Sequence, residues 1–106
     1  MNTHIPKIIH QIWVGDNPIP DYCKEFHLKM KQMHPDWEVN LWGNEIFTTY
    51  YPNDPFLSNY RKNAELYKWA FIADRIRLLL LRDYGGVYVD IDAEPIRSFN
   101  NIFSHK

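Results

Sequence analysis

Gly85 and Gly86 stand where the hydrophobic period of this chain changes, and that change limits the fold more than any other feature. Upstream, Leu66, Trp69, Ala70, Ala73, Ile76, Leu80 and Tyr84 recur at the spacing of one helix face. Downstream, Val87-Tyr88-Val89-Asp90-Ile91-Asp92 reads as a strand. The switch predicts a helix from about Asn63 to Tyr84, a tight turn with Gly85 as the helix C-cap, and a buried strand over Val87–Ile91. Side chains alternate along a strand, so Asp90 and Asp92 are expected to point together at its C-terminal end, with Ile91 turned into the core. Two adjacent carboxylates repel, and neither is easily held in a partly buried cleft. A divalent cation resolves both problems. Carboxylate oxygens suit Mg²⁺ or Mn²⁺, whose shells are usually completed by water and substrate phosphates. An isolated Asp-x-Asp reads more readily as a solvated strand end; the apolar strand, the glycine pair and the preceding amphipathic helix favour a metal site here.

The rest of the chain supplies partners for that strand. Lys7 to Val14 is rich in β-branched and aromatic residues and stops at Gly15-Asp16-Asn17-Pro18, a strong turn signal. Alternation puts Ile8, His10, Ile12 and Val14 on one face and Ile9, Gln11 and Trp13 on the other, as suits the middle of a covered sheet. A helix is expected from Pro20-Asp21 to Met33, with Tyr22, Phe26, Met30 and Met33 as its apolar stripe. Trp37 to Trp42 alternates as a second strand, and Asn44 is placed to cap a short helix reaching Tyr51. The order strand–helix–strand–helix–strand implies a three-layer α/β unit with a mostly parallel sheet, organised as one domain over residues 1–106. In such sheets ligands collect beyond the carboxyl ends of the strands, where Trp13–Asn17 and Asp90–Asp92 both lie.

Composition excludes several classes. The net charge is −1, so no basic surface argues for nucleic acid. Apolar runs such as Leu78 to Leu81 are too short for a transmembrane segment. Cys23 is the only cysteine, which rules out an intrachain disulfide and fits a reducing, cytoplasmic setting, and the N-terminus lacks a signal-peptide pattern.

Other candidate residues carry less specific signals. Asp74 and Arg77 share a helix face and could meet sugar hydroxyls and a phosphate, but from the helix alone they fit a surface pair better. Ala70 and Ala73 on that face would let a ligand approach. Trp13 suits either core packing or stacking on a base, with Gly15 keeping the backbone open beside it. His10 reads as a strand residue satisfied by a neighbour; His4, His27, His34 and His105 show no metal-ligand spacing. No phosphate-binding glycine motif of either common nucleotide-binding type is present.

Four motifs in order resemble a known family. They are Ile5-Pro6-Lys7-Ile8-Ile9-His10-Gln11-Ile12-Trp13, Pro35-Asp36-Trp37-Glu38 with Leu41-Trp42, Ala73-Asp74-x-x-Arg77, and Gly85 through Asp92. Together they are similar to the family 32 glycosyltransferases with a DXD sugar-binding region, which include the yeast initiating α-1,6-mannosyltransferase and capsular-polysaccharide transferases. The resemblance implies a GT-A-like fold and transfer, with retention of anomeric configuration, from a UDP- or GDP-sugar to a glycan or other hydroxyl acceptor, with Mn²⁺ or Mg²⁺. It implies that Trp13 stacks on the base beside Gly15, that Asp74, Arg77 and Gly86 serve the donor, that Asp90 contacts ribose and sugar, and that Asp92 ligates the metal directly, with Asp90 and Asp92 as the catalytic pair.

The family's acceptor side follows the DXD strand, whereas this chain ends at Lys106. A minimal transferase, a truncated one, and a non-catalytic nucleotide-sugar-binding module all fit that length. A homo-oligomer could supply a missing wall and cover an open sheet edge. A phosphohydrolase or nuclease also uses paired carboxylates, but further acidic residues at suitable spacing and a basic track are missing.

Overall fold

The computed structural model describes residues 5–66 and 69–99. Its centre is a parallel sheet in the order β2-β1-β3, with β1 at Ile8–Ile12, β2 at Glu38–Trp42 and β3 at Val87–Tyr88. Ile8 stands opposite Glu38 and Ile12 opposite Trp42, while Ile9 and His10 face Val87 and Tyr88. Helix α1 spans Asp21–Met33, α2 Tyr60–Leu66 and α3 Trp69–Tyr84. A π-helical turn at Ile46–Tyr50 and a 3₁₀ turn at Leu57–Asn59 lie between β2 and α2.

β1 is central because both its faces are apolar. Ile12 packs with Trp42, Ile72, Ile76 and Leu80 on the α3 side. Ile9 packs with Met30 and Trp37 on the α1 side. Helices therefore cover both faces of the sheet, giving the three layers that the alternation in Lys7–Val14 predicts. Gln11, fully buried on the α1 side, meets the His27 Nδ1 through its Oε1 at 2.6 Å. Burial, and less so Lys31, holds His27 below its ordinary pKa, so its neutral ring donates that bond.

Several expectations shift in detail. The predicted single helix over 63–84 is α2 and α3, and its middle at 67–68 lies outside the described residues. The buried face of α3 is Ile72, Ile76, Leu79 and Leu80, with Trp69 and Ala73 at its margin; Ala70 and Tyr84 are exposed. On α1 the buried residues are Cys23 and Met30, and Tyr22 is 54% exposed. The stripe is rotated because Cys23, not Tyr22, faces the sheet. Asn44 does not cap a helix with its side chain; it is used elsewhere, as shown below. The third strand stops at Tyr88, extended only by the Val89 N–H donating to the His10 carbonyl at 3.0 Å. Among the described residues, no helix is long and apolar enough to cross a membrane.

Candidate donor site at the carboxyl ends of the sheet

A cavity of about 290 Å³ opens where β1 and β3 end. Its walls come from the loop after β1, the first turn of α1, the start of α3 and the chain leaving β3. Trp13 and Gly15 line it from the first, Tyr22 and Cys23 from the second, Ala70 and Ala73 from the third, and Asp90 and Asp92 from the last, with Tyr88 at the end of β3 itself.

The loop after β1 is fastened on three sides. Trp13 N–H donates to the Trp42 carbonyl at 2.9 Å, continuing the β1–β2 ladder, and its indole N–H donates to the Asn17 carbonyl at 2.8 Å. Asn44 clamps Gly15 twice: its Oδ1 accepts from the Gly15 N–H at 2.9 Å, and its Nδ2 donates to the Gly15 carbonyl at 3.0 Å. Gly15 has φ +116°, and a Cβ there would sit 3.1 Å from the Trp69 ring. These constraints leave the half-buried Trp13 with a fixed ring in the cavity wall. The sequence signal for Asn44 is only its position after β2, next to the end of β1 in a parallel pair.

Asp90 and Asp92 reach the same cavity by a different route from the one predicted. They do not continue a strand; the chain turns after Val89, with the Ala93 N–H donating to the Asp90 carbonyl at 3.1 Å. Ile91 is 6% exposed and anchors the turn in the protein, while both carboxylates are exposed. Burial first, and then the neighbouring Asp90 carboxylate, hold the Tyr88 phenol well above its ordinary pKa, so it keeps its proton across the physiological range. The Tyr22 phenol is also raised, first by the neighbouring Cys23 and to a lesser extent by the charge of Asp92. Tyr22 and Tyr88 were not singled out as site residues by sequence. Tyr22 fits the apolar stripe of α1 and Tyr88 the apolar pattern of its strand, and only the tertiary arrangement brings them into one cavity wall with the carboxylates.

The structure does not bring every predicted residue into the lining. Asp74 and Arg77 lie 3.9 Å apart, Asp74 exposed and Arg77 half-buried. Asp74 borders a separate groove with Phe56, Phe71, Arg75 and Leu78. Arg77 leans over the Tyr88 ring, 5.6 Å from its centre, and so stands one side chain behind the cavity. Gly86, with φ +89°, lies against β1, where a Cβ would overlap the Ile8 carbonyl oxygen and sit 2.9 Å from Ile8 Cβ. Its contact is with the strand and not with the cavity. Among the described residues, no group of three or more His, Cys, Asp or Glu is placed to hold a metal.

A parallel sheet covered on both faces, with an aromatic ring and paired carboxylates beyond its strand ends, places this chain among the α/β folds whose ligands collect at that edge. The same fold is found in the solved PaToxG glycosyltransferase, with a TM-score of 0.67 at 22% identity over 90% of this chain and 45% of that one. Residues 20–106 match the family described as the glycosyltransferase sugar-binding region containing DXD motif, and the chain belongs to that family. A mannosyl phosphorylinositol ceramide synthase of Saccharomyces cerevisiae is 38% identical over 91 residues, covering 83% of this chain and 22% of the relative. The inositol phosphoceramide mannosyltransferase 3 of Schizosaccharomyces pombe is 36% identical over 106 residues, covering 95% of this chain and 28% of the relative. The chain thus spans between a fifth and a third of the length of these relatives.

Proposed function

We propose that this chain binds the donor of a metal-dependent glycosyltransferase and takes part in moving its sugar to a hydroxyl acceptor with retention of configuration. The observation that carries the reading is the convergence of Trp13, Gly15, Asp90 and Asp92 on one cavity at the strand ends. The donor is a UDP- or GDP-sugar. Mannose is the first sugar to test, and a lipid-linked inositol the first acceptor, because the relatives named above are named for mannosyl transfer and for inositol phosphoceramide.

The donor set fits a hard cation. Asp90 and Asp92 offer only oxygens, are exposed, and supply too few ligands for a closed site, as suits Mg²⁺ or Mn²⁺ sharing its shell with phosphate and water. When bound, the ion would neutralise charge on the departing diphosphate. The chain's own residues do the rest. Trp13 offers a flat face to the base, and the Gly15 backbone, free of a side chain, lets the nucleotide lie close. Tyr88, protonated and lining the same cavity, offers a hydroxyl beside Asp90. A nucleotide sugar exceeds about 290 Å³, the low end for ligand pockets, so part of it extends past these walls. We place that remainder along α3 beyond Ala73, toward Asp74 and Arg77. Transfer breaks the bond from the sugar's anomeric carbon to the diphosphate oxygen and forms one to the acceptor oxygen, whose proton passes to the departing diphosphate.

The test is binding of UDP- and GDP-sugars, followed by thermal shift with and without Mn²⁺, in the wild-type chain and Asp92→Ala. A ligand that favours the native state raises its melting temperature. The wild type is expected to respond only with metal present and the variant not at all. An unchanged metal-dependent response in Asp92→Ala refutes the assignment. Donor binding without release of nucleoside diphosphate in the presence of acceptors identifies a binding module instead.

A further inference from the structure

We propose that His10 is a positioning residue for the Asp90–Asp92 turn, bracing it from behind without touching the donor. His10 is 1% exposed, in the central strand. Its Nδ1 accepts from the Trp42 indole N–H at 3.0 Å. An indole nitrogen can only donate, so Nδ1 carries no proton, and the proton sits on Nε2. Nε2 in turn donates to the Gly85 carbonyl at 2.9 Å. The same residue's backbone carbonyl accepts from the Val89 N–H at 3.0 Å. His10 thus grips both ends of β3: the side chain holds the glycine turn that enters the strand, and the main chain holds the residue just before Asp90.

This grip matters because β3 is a two-residue strand. So short an edge strand fixes its own direction poorly. Gly85 and Gly86, at φ +71° and +89°, have access to far more backbone conformations than other residues would. A hydrogen bond to the Gly85 carbonyl selects one of them. Trp42 matters in the second place: by occupying Nδ1 it fixes the tautomer, so that the ring always presents a donor to Gly85.

The inference rests on the metal-site reading of Asp90 and Asp92, and two conservative variants test it. In His10→Gln the side-chain amide nitrogen reaches the place of Nε2 and keeps the bond to Gly85. In His10→Asn the amide oxygen takes the place of Nδ1, keeping the bond to Trp42 and losing the one to Gly85. Direct titration with Mn²⁺, alone and with GDP or UDP, is expected to give near wild-type affinity for His10→Gln. His10→Asn is expected to be weaker by about tenfold, the lower end of what outer partners of metal sites are worth. Both variants retain Trp13, so metal-free binding of the nucleoside does not change. Equal affinities in the two variants, or a parallel loss of metal-free nucleoside binding, overturn the proposal. Amide exchange gives a second readout that needs no metal. Val89 is expected to be protected like β1 in the wild type and in His10→Gln, and to exchange faster in His10→Asn. Unprotected Val89 in the wild type also overturns the proposal. A wild type that binds no Mn²⁺ yet shows this exchange pattern removes the functional reading and leaves the brace standing.

Discussion

Gly86→Ala should cost this fold far more than Gly85→Ala, although the two glycines are neighbours with similar backbone. Each substitution puts a side chain at positive φ, which costs about 1–3 kcal/mol. The surroundings then separate them. At Gly85 the new methyl meets Pro6 Cγ at 3.0 Å, the ring of an exposed residue near the N-terminus that can shift. At Gly86 it meets the carbonyl and Cβ of Ile8, the first residue of the central strand, which is held to β2 on its other side. Relief there requires moving β3 away from β1, loosening ladder bonds worth about 0.5–1.5 kcal/mol each. The total for Gly86→Ala is about 3–5 kcal/mol, against about 1–3 kcal/mol for Gly85→Ala. Domains of this size are stable by about 5–15 kcal/mol. Each kcal/mol shifts the melting temperature of a small domain by about 4–8 °C, so Gly86→Ala should melt at least about 12 °C lower. Urea and thermal unfolding of both variants measure the difference. Equal stability within about 0.5 kcal/mol would refute the packing argument. A stable Gly86→Ala that binds donor poorly would return Gly86 to the ligand site.

Trp13→Ala should weaken free nucleotide as well as full donor by roughly 10- to 100-fold, since stacking on a base is worth about 1–3 kcal/mol; fluorescence titration with the nucleoside diphosphate and the sugar donor checks it, and a loss confined to the sugar contradicts stacking. Asn44→Ala removes both clamps on Gly15 and should reduce nucleotide affinity with little change in melting temperature, measured by the same titration. Asp54, whose side chain is 7% exposed, pairs with Arg75 at 2.6 Å and accepts from the Leu57 N–H at 3.0 Å. The Arg75 hydrogen bond, first among several causes, holds its pKa below the ordinary 3.8. A depressed carboxylate stabilises the fold above the unfolded value, and the contribution fades as pH falls through the lower folded value. Asp54→Asn should therefore cost about 1.5–3 kcal/mol near neutrality and flatten the acid limb below about pH 4, as read by urea unfolding at several pH values.

The two-sided apolar pattern of Lys7–Val14 determined the central strand and both helix layers, because a strand with no polar face must be covered twice. The glycine pair determined where the last helix stops, since a change of period across a φ-permissive turn leaves few alternatives. Local pattern does not report rotation about a helix axis or the point at which pairing ends. Cys23 replaced Tyr22 on the buried side of α1 because the packing of the sheet, and not hydrophobicity alone, selects the face. The sequence marked Asp90 and Asp92 as neighbours in a site, yet their shared direction comes from a turn anchored by Ile91, not from strand alternation. The Asn44 clamp and the His10 brace join residues distant in sequence, and Tyr22 and Tyr88 read as plain packing until the fold brings them to the cavity. Such contacts exist only once the strands are side by side, and it is they that determine where the carboxylates and the indole stand.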